Sequence, residues 1–238
     1  MTTLLLKLLL AHFLGDFVFQ PYRWVKSKEQ KAAKSTYFWF HIGVHVLLMF
    51  LFTGFERSLI PIVIGVGISH VVIDLLKIKL QNRCSAIPLF FGDQVLHLLA
   101  ILAAVGLYFT WDWSNLLQLQ DKWLVLILAI VLLTSVSGMM MKVLLSKWDL
   151  NHFEGEALEK AGWYKGVLER LFIFGFVFSG HWAGIGFLIA AKSIFRFNDL
   201  SKSKDRKLTE YVLIGTLLSY GLAMLIAFAC LQLWYYVQ

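Results

Sequence analysis

The chain has 238 residues, of which 59% are hydrophobic and only 16% charged, and a net charge of +7. Soluble domains carry about a quarter charged residues, so a soluble globular protein is excluded and a polytopic membrane protein is expected. No nucleic-acid motif accompanies the basic residues, so the positive charge points to orientation in the membrane and to anionic lipid headgroups.

Apolar runs predict eight helical spans, at about 3–20, 37–53, 58–76, 88–111, 123–145, 166–180, 183–196 and 208–234. The implied fold is an all-α integral membrane protein. Span 1 has no basic leader and no small-residue cleavage site, so it is read as retained rather than as a signal peptide. The loop after it holds Arg23, Lys26, Lys28, Lys31 and Lys34. Lys77, Lys79 and Arg83 follow span 3, Lys142, Lys147, Lys160 and Lys165 follow span 5, and a further basic cluster from Lys192 to Lys207 follows span 7. Eighteen of the 22 lysines and arginines thus fall in alternate loops. These loops are expected to be cytoplasmic, with both termini outside, in an inner membrane. Cys84 and Cys230 then fall at opposite faces and do not pair.

Spans 1 to 4 each carry a His/Asp pair four residues apart: His12/Asp16, His41/His45, His70/Asp74 and Asp93/His97. Residues i and i+4 share one helix face. With the orientation above, all eight side chains lie in the cytoplasmic part of the bilayer. His12, His45, His70 and His97 form a deeper layer, and Asp16, His41, Asp74 and Asp93 a layer about 6 Å shallower. Spans 1–2 and 3–4 read as two copies of one hairpin related by a pseudo-twofold axis along the membrane normal. Residues 1–111 are therefore expected to form a four-helix bundle with its ligands on the axis. Residues 112–238 form a second transmembrane region with a cytoplasmic amphipathic segment at 142–165.

Imidazole and carboxylate groups suit divalent ions, and an aspartate in a span costs about 2.5–3.5 kcal/mol if left bare. One or two divalent ions are expected, zinc first, with iron or manganese as alternatives. Metal-activated water would supply the nucleophile, and Asp93 or Asp16 the general base. A hydrogen-bonded His/Asp network that only fixes helix packing, or carries protons, is the competing account. Gln20, Ser69 and Gln94 flank the pairs as possible supporting partners. In the second half, His152/Glu156 make another i,i+4 pair, best explained as a solvated face. Arg170, Lys192 and Arg196 suit snorkelling and ion pairs, with a phosphate grip as the alternative.

The ordered segments HFLGDFVFQ, HIGVH, SHVVIDLLK and FFGDQVLH resemble a bacterial membrane family labelled domain of unknown function 3307, and GVLERLFIF, GIGFLIAAKSIFRF and EYVLIGTLLS resemble its longer members. That resemblance implies no activity. More distantly, paired His/Asp residues in membrane helices are similar to inner-membrane metal-dependent hydrolases and zinc-dependent phospholipases C, which implies phosphoester hydrolysis. The zinc phospholipases also ligate through a Glu and the N-terminal group, and nothing here matches those. The expected function is a membrane-embedded metal-dependent hydrolase acting on a phosphorylated lipid or a similar membrane-associated substrate. A metal-ion or proton transporter is the alternative, and a membrane scaffold the third.

Overall fold

A computed structural model of the chain describes residues 1–109, 121–148, 161–200 and 206–236, with side chains described outside 195–209. His152 and Glu156, and half of the expected amphipathic segment, lie outside the described residues. Every regular element among the described residues is helical. Two compact units are present, Met1–Val131 and Leu132–Tyr235.

The first unit begins with α1 (Thr2–Phe17), α2 (Tyr22–Lys31) and a 3₁₀ turn (Ala32–Lys34). It continues through α3 (Thr36–Thr53), a second 3₁₀ turn (Arg57–Leu59), α4 (Ile60–Leu80), α5 (Ala86–Tyr108) and α6 (Asp121–Val131). Helix α1 packs on α3 and α5, and α4 packs on the same two, which closes a ring of four. Gly54 ends α3 with φ 68°. Its N–H donates to Leu51 O while Phe55 N–H donates to Phe50 O, and the Phe50 and Phe55 rings stack at 5.7 Å. This paired bond pattern with its apolar clasp needs a left-handed residue, which glycine adopts without penalty. Helix α6 lies against α1, where Thr3 Oγ1 donates to Asp121 Oδ2 at 3.1 Å.

Helix α2 departs from α1 at 84° and crosses one end of the ring against α3. Trp24 stacks over Tyr37 and Phe40, Gln81 Nε2 donates to Glu29 O, and Ser27 and Ser35 share a hydrogen bond of 2.8 Å. Ala32 leaves the helix with φ 47°, a costly conformation for a residue with a Cβ, held by these contacts. The opposite half of the bundle is apolar: Leu8, Met49, Val63, Val66, Ile101 and Val105 fill it. Outward faces are apolar as well, with Leu47, Leu51, Ile64, Ile68, Val72 and Leu99 exposed. Such a contiguous apolar girdle suits lipid and not water.

The second unit holds a π-helical turn (Leu132–Val136), α7 (Ser137–Leu145), α8 (Ala161–Phe178), α9 (Trp182–Leu200) and α10 (Arg206–Tyr236). A π turn loosens the backbone ladder, and its carbonyls are claimed by side chains. Buried Arg170 donates through Nε to Leu133 O at 2.5 Å and through Nη1 to Ser219 Oγ at 3.2 Å. Ser137 Oγ donates to Leu132 O at 2.6 Å. Lys192 Nζ donates to Glu169 at 2.7 Å. Arg170 and Lys192 are thus engaged by protein groups, and the Arg196 side chain lies outside the described residues.

Among the described residues, five helices are long and apolar enough to cross a membrane, or six with α1 and α2 taken as one bent span. Eight had been expected, and the difference has physical causes. The 16 residues of α1 rise only about 24 Å, against a hydrocarbon core of about 30 Å. Helix α8 carries Lys165, Glu169 and Arg170 within its 18 residues. It pairs with α9, whose apolar part is Trp182–Ile194, across a turn at Gly180.

Candidate metal centre

The ring of α1, α3, α4 and α5 brings all eight His and Asp side chains of the paired motifs to its axis. His12, His41, His45, His70, Asp74, Asp93 and His97 are buried, and the Asp16 side chain is 10% exposed. The His45 and His70 rings lie 3.9 Å apart, His70 and His97 4.2 Å, and His12 and His97 4.9 Å, centroid to centroid.

The two expected layers interlock into one cluster. Helical side chains tilt toward their own N-terminus. Asp16 on α1 and His45 on the antiparallel α3 therefore lean toward each other, and Asp16 Oδ1 sits 3.1 Å from His45 Nε2. The same oxygen is 3.3 Å from His41 Nε2 and 3.8 Å from His70 Nε2, and those two nitrogens are 3.2 Å apart. A tetrahedral zinc site has ligand bonds of about 2.0–2.1 Å, which sets neighbouring ligand atoms about 3.3–3.4 Å apart. These four separations bracket that spacing, and all four residues place a ligand atom within 4.8 Å of the others. Two imidazole nitrogens that face each other share at most one proton between them, whereas a cation satisfies both.

Two further ligand sets adjoin this one: His12, His70 and His97, and Asp16, Asp93 and His97. Asp16 belongs to two sets. Its Oδ1 faces the three histidines, while its Oδ2 lies 3.8 Å from His12 Nε2 and accepts from Gln94 Nε2 at 3.1 Å. Asp93 Oδ1 and His97 Nε2 stand 3.5 Å apart without a hydrogen bond, and both are buried and unsatisfied among the described residues. Buried polar atoms of this kind call for an ion or a water. A void of about 10 Å³ bounded by His12, His45, His70 and His97 has room for one water-sized species.

Two lysines that the apolar spans do not reveal complete the cluster. Lys28, from α2, is buried and donates to Asp74 Oδ2 at 2.7 Å. Lys77, from α4, donates to Asp93 Oδ2 at 2.7 Å. Lys77 follows His70 and Asp74 at i+7 and i+3, so the helical spacing already puts it on their face. Lys28 shares a face of α2 with Trp24 and Val25, a weaker signal. Among the flanking polar residues, Gln94 joins the cluster through Asp16, Asp93 Oδ2 and His12. Ser69 donates back to Val66 O instead, and the buried Gln20 amide nitrogen has no partner among the described residues. Asp74, held by Lys28, belongs to none of the three ligand sets, although it lies 3.6 Å from His41 and 3.7 Å from His97.

Fold and site together define an all-helical membrane protein with a buried His/Asp cluster able to hold a metal ion. The chain belongs to the family described as protein of unknown function (DUF3307), which matches residues 4–127 and so takes in all eight paired residues and both lysines. No curated protein and no solved structure matches the chain.

Proposed function

We propose that the bundle is a membrane-embedded, divalent-metal-dependent hydrolase that cleaves a phosphoester of a lipid or similar membrane-associated substrate. The supporting observation is the spacing of Asp16 Oδ1 with the Nε2 atoms of His41, His45 and His70, continued by the unsatisfied Asp93/His97 pair. The α2 end is taken as cytoplasmic, since Arg23, Lys26, Lys31, Lys34, Lys79 and Arg83 are exposed there. With α1, α8 and α9 counted as crossings, the chain then spans an inner membrane eight times and both termini face outward. The two-hairpin repeat belongs to the same proposal, pairing His12 with His70 and His45 with His97.

A divalent ion in the Asp16/His41/His45/His70 set would supply Lewis acidity to a phosphoryl oxygen and to water. Asp93 has Oδ2 held by Lys77 and Gln94, which leaves Oδ1 to accept the proton of the attacking water. Water oxygen bonds to phosphorus, the bond from phosphorus to the leaving alcohol breaks, and the proton passes to that alcohol. Lys28 and Lys77 offset charge that develops on the phosphoryl oxygens. With neutral histidines, three carboxylates, two ammonium groups and one divalent ion leave one positive charge, which a phosphodiester anion neutralises. Transport is favoured less, because beyond His12 and His97 the bundle is closed by Leu8, Met49, Val63 and Val105.

Purified protein loaded with zinc or manganese and given phospholipid vesicles is expected to release a phosphate-bearing product, and the Asp93→Asn form to be at least about a hundredfold slower. Equal rates from both forms, or no product with any divalent metal, would sink the hydrolase proposal. A subtler variant tests the centre itself. A Cβ at Gly15 would overlap the His45 ring, so Gly15→Ala should weaken metal binding about 10–100-fold. The helix would lose nothing, as Ala is about 1 kcal/mol better than Gly in a helix interior. Unchanged metal affinity in that variant would show that His45 is not a ligand.

A further inference from the structure

Between α4 and α5, near the α2 end, a groove of about 170 Å³ opens on the outer face of the bundle. Leu76, Leu80, Leu89 and Leu96 form its walls, and Lys77 and Asp93 also line it. Leu76 and Leu96 are exposed, whereas Asp93 is buried, so the groove runs from the lipid-facing surface to the edge of the His/Asp cluster. Gly92 sits in the wall with open space where a side chain would be. On an apolar, membrane-facing surface, the medium available to fill such a groove is acyl chain. The Lys77 side chain is 32% exposed and uses one of its donors on Asp93. Lys79 and Arg83 are exposed just beyond. An apolar slot with a cationic rim complements a lipid whose headgroup is anionic.

We propose that the α4–α5 groove is a binding site for an anionic glycerophospholipid, seating one acyl chain along the leucines and its phosphate at Lys77. The site rests on the membrane-embedded placement of the bundle proposed above and supplies the lateral route by which such a lipid reaches Asp93. It does not depend on hydrolysis taking place. Lipid occupancy here would also explain why Asp93 carries its own ammonium partner: the lysine screens the buried carboxylate from an arriving phosphate.

The test uses full-length protein in nanodiscs doped with photoactivatable phosphatidylglycerol or phosphatidylcholine bearing a diazirine in the acyl chain. Labelling is run on metal-free protein, so that a failed hydrolase proposal leaves the outcome unaffected. The phosphatidylglycerol probe should label residues 73–96 about fivefold more than the phosphatidylcholine probe, the preference one basic group gives at a membrane surface. Gly92→Leu, and separately Leu96→Trp, should cut that labelling at least about fivefold by filling the slot. Helix content by circular dichroism and thermal stability report that each variant is folded. Labelling that both fillings leave unchanged would overturn the groove as the site. Labelling that the fillings abolish but that shows no headgroup preference would overturn the anionic specificity. Loss of phosphoester cleavage with labelling intact would bear on the hydrolase proposal alone.

Discussion

Asp16→Ala is expected to remove bound divalent metal from the purified protein, lowering affinity by more than about a hundredfold, whereas Asp74→Ala should retain it. The contrast follows from how the two carboxylates are held. Asp16 lies within 3.8 Å of four histidine nitrogens and belongs to two ligand sets. Asp74 is bound by Lys28 and belongs to none. Both aspartates stand four residues after a histidine on corresponding helices, so spacing alone makes them equivalent. Metal analysis of the two variants beside wild type separates them. Metal retained in Asp16→Ala at full stoichiometry would rule out the proposed centre. Loss from both variants alike would mean that Lys28 gives way to the ion at Asp74. A ligand role also ties affinity to pH, because imidazole must be neutral to bind.

Lys28→Ala should destabilise the first unit by about 3–5 kcal/mol, because it strands a buried carboxylate. Lys28 and Asp74 side chains are 6% and 3% exposed, so water replaces neither partner. The double variant Lys28→Ala/Asp74→Ala should recover most of the loss, since neither charge is then buried alone. Unfolding in mixed detergent micelles reads the whole cycle. Additive losses in the double variant would mean that the two residues act independently. This pair also decides where α2 lies, because Lys28 is its buried contact with the cluster.

The four ring helices, α1, α3, α4 and α5, and the face each presents were legible because apolar runs and i,i+4 spacing are local properties, whereas α2 reads as a basic loop. Their gathering on one axis follows from the short α4–α5 connection and from the matching placement of the pairs along antiparallel helices. Lys28 was not legible as a cluster member. It sits among five basic residues in what reads as a solvated segment, and only the bend after Phe17 turns it back under the ring. The merging of two layers was hidden for a related reason: spacing gives the height of a Cα, while side-chain tilt on antiparallel helices closes the remaining distance. In the second unit, Lys165, Glu169 and Arg170 set α8 apart from the more apolar helices, although its apolar run reads as a span. Arg170 there serves the π turn, a backbone irregularity with no residue signature.

The apolar half of the bundle has an electrical consequence. Leu8, Met49, Val63, Val66, Ile101 and Val105 form a layer of low dielectric between the cluster and the end opposite α2. A transmembrane voltage is worth about 2.3 kcal/mol per elementary charge per 100 mV, and it falls mainly across such a layer. An ion that reaches the cluster from the α2 end crosses little of that drop. In the proposed metal centre, occupancy would then be governed by the free-ion concentration on that side and not by the energised state of the membrane.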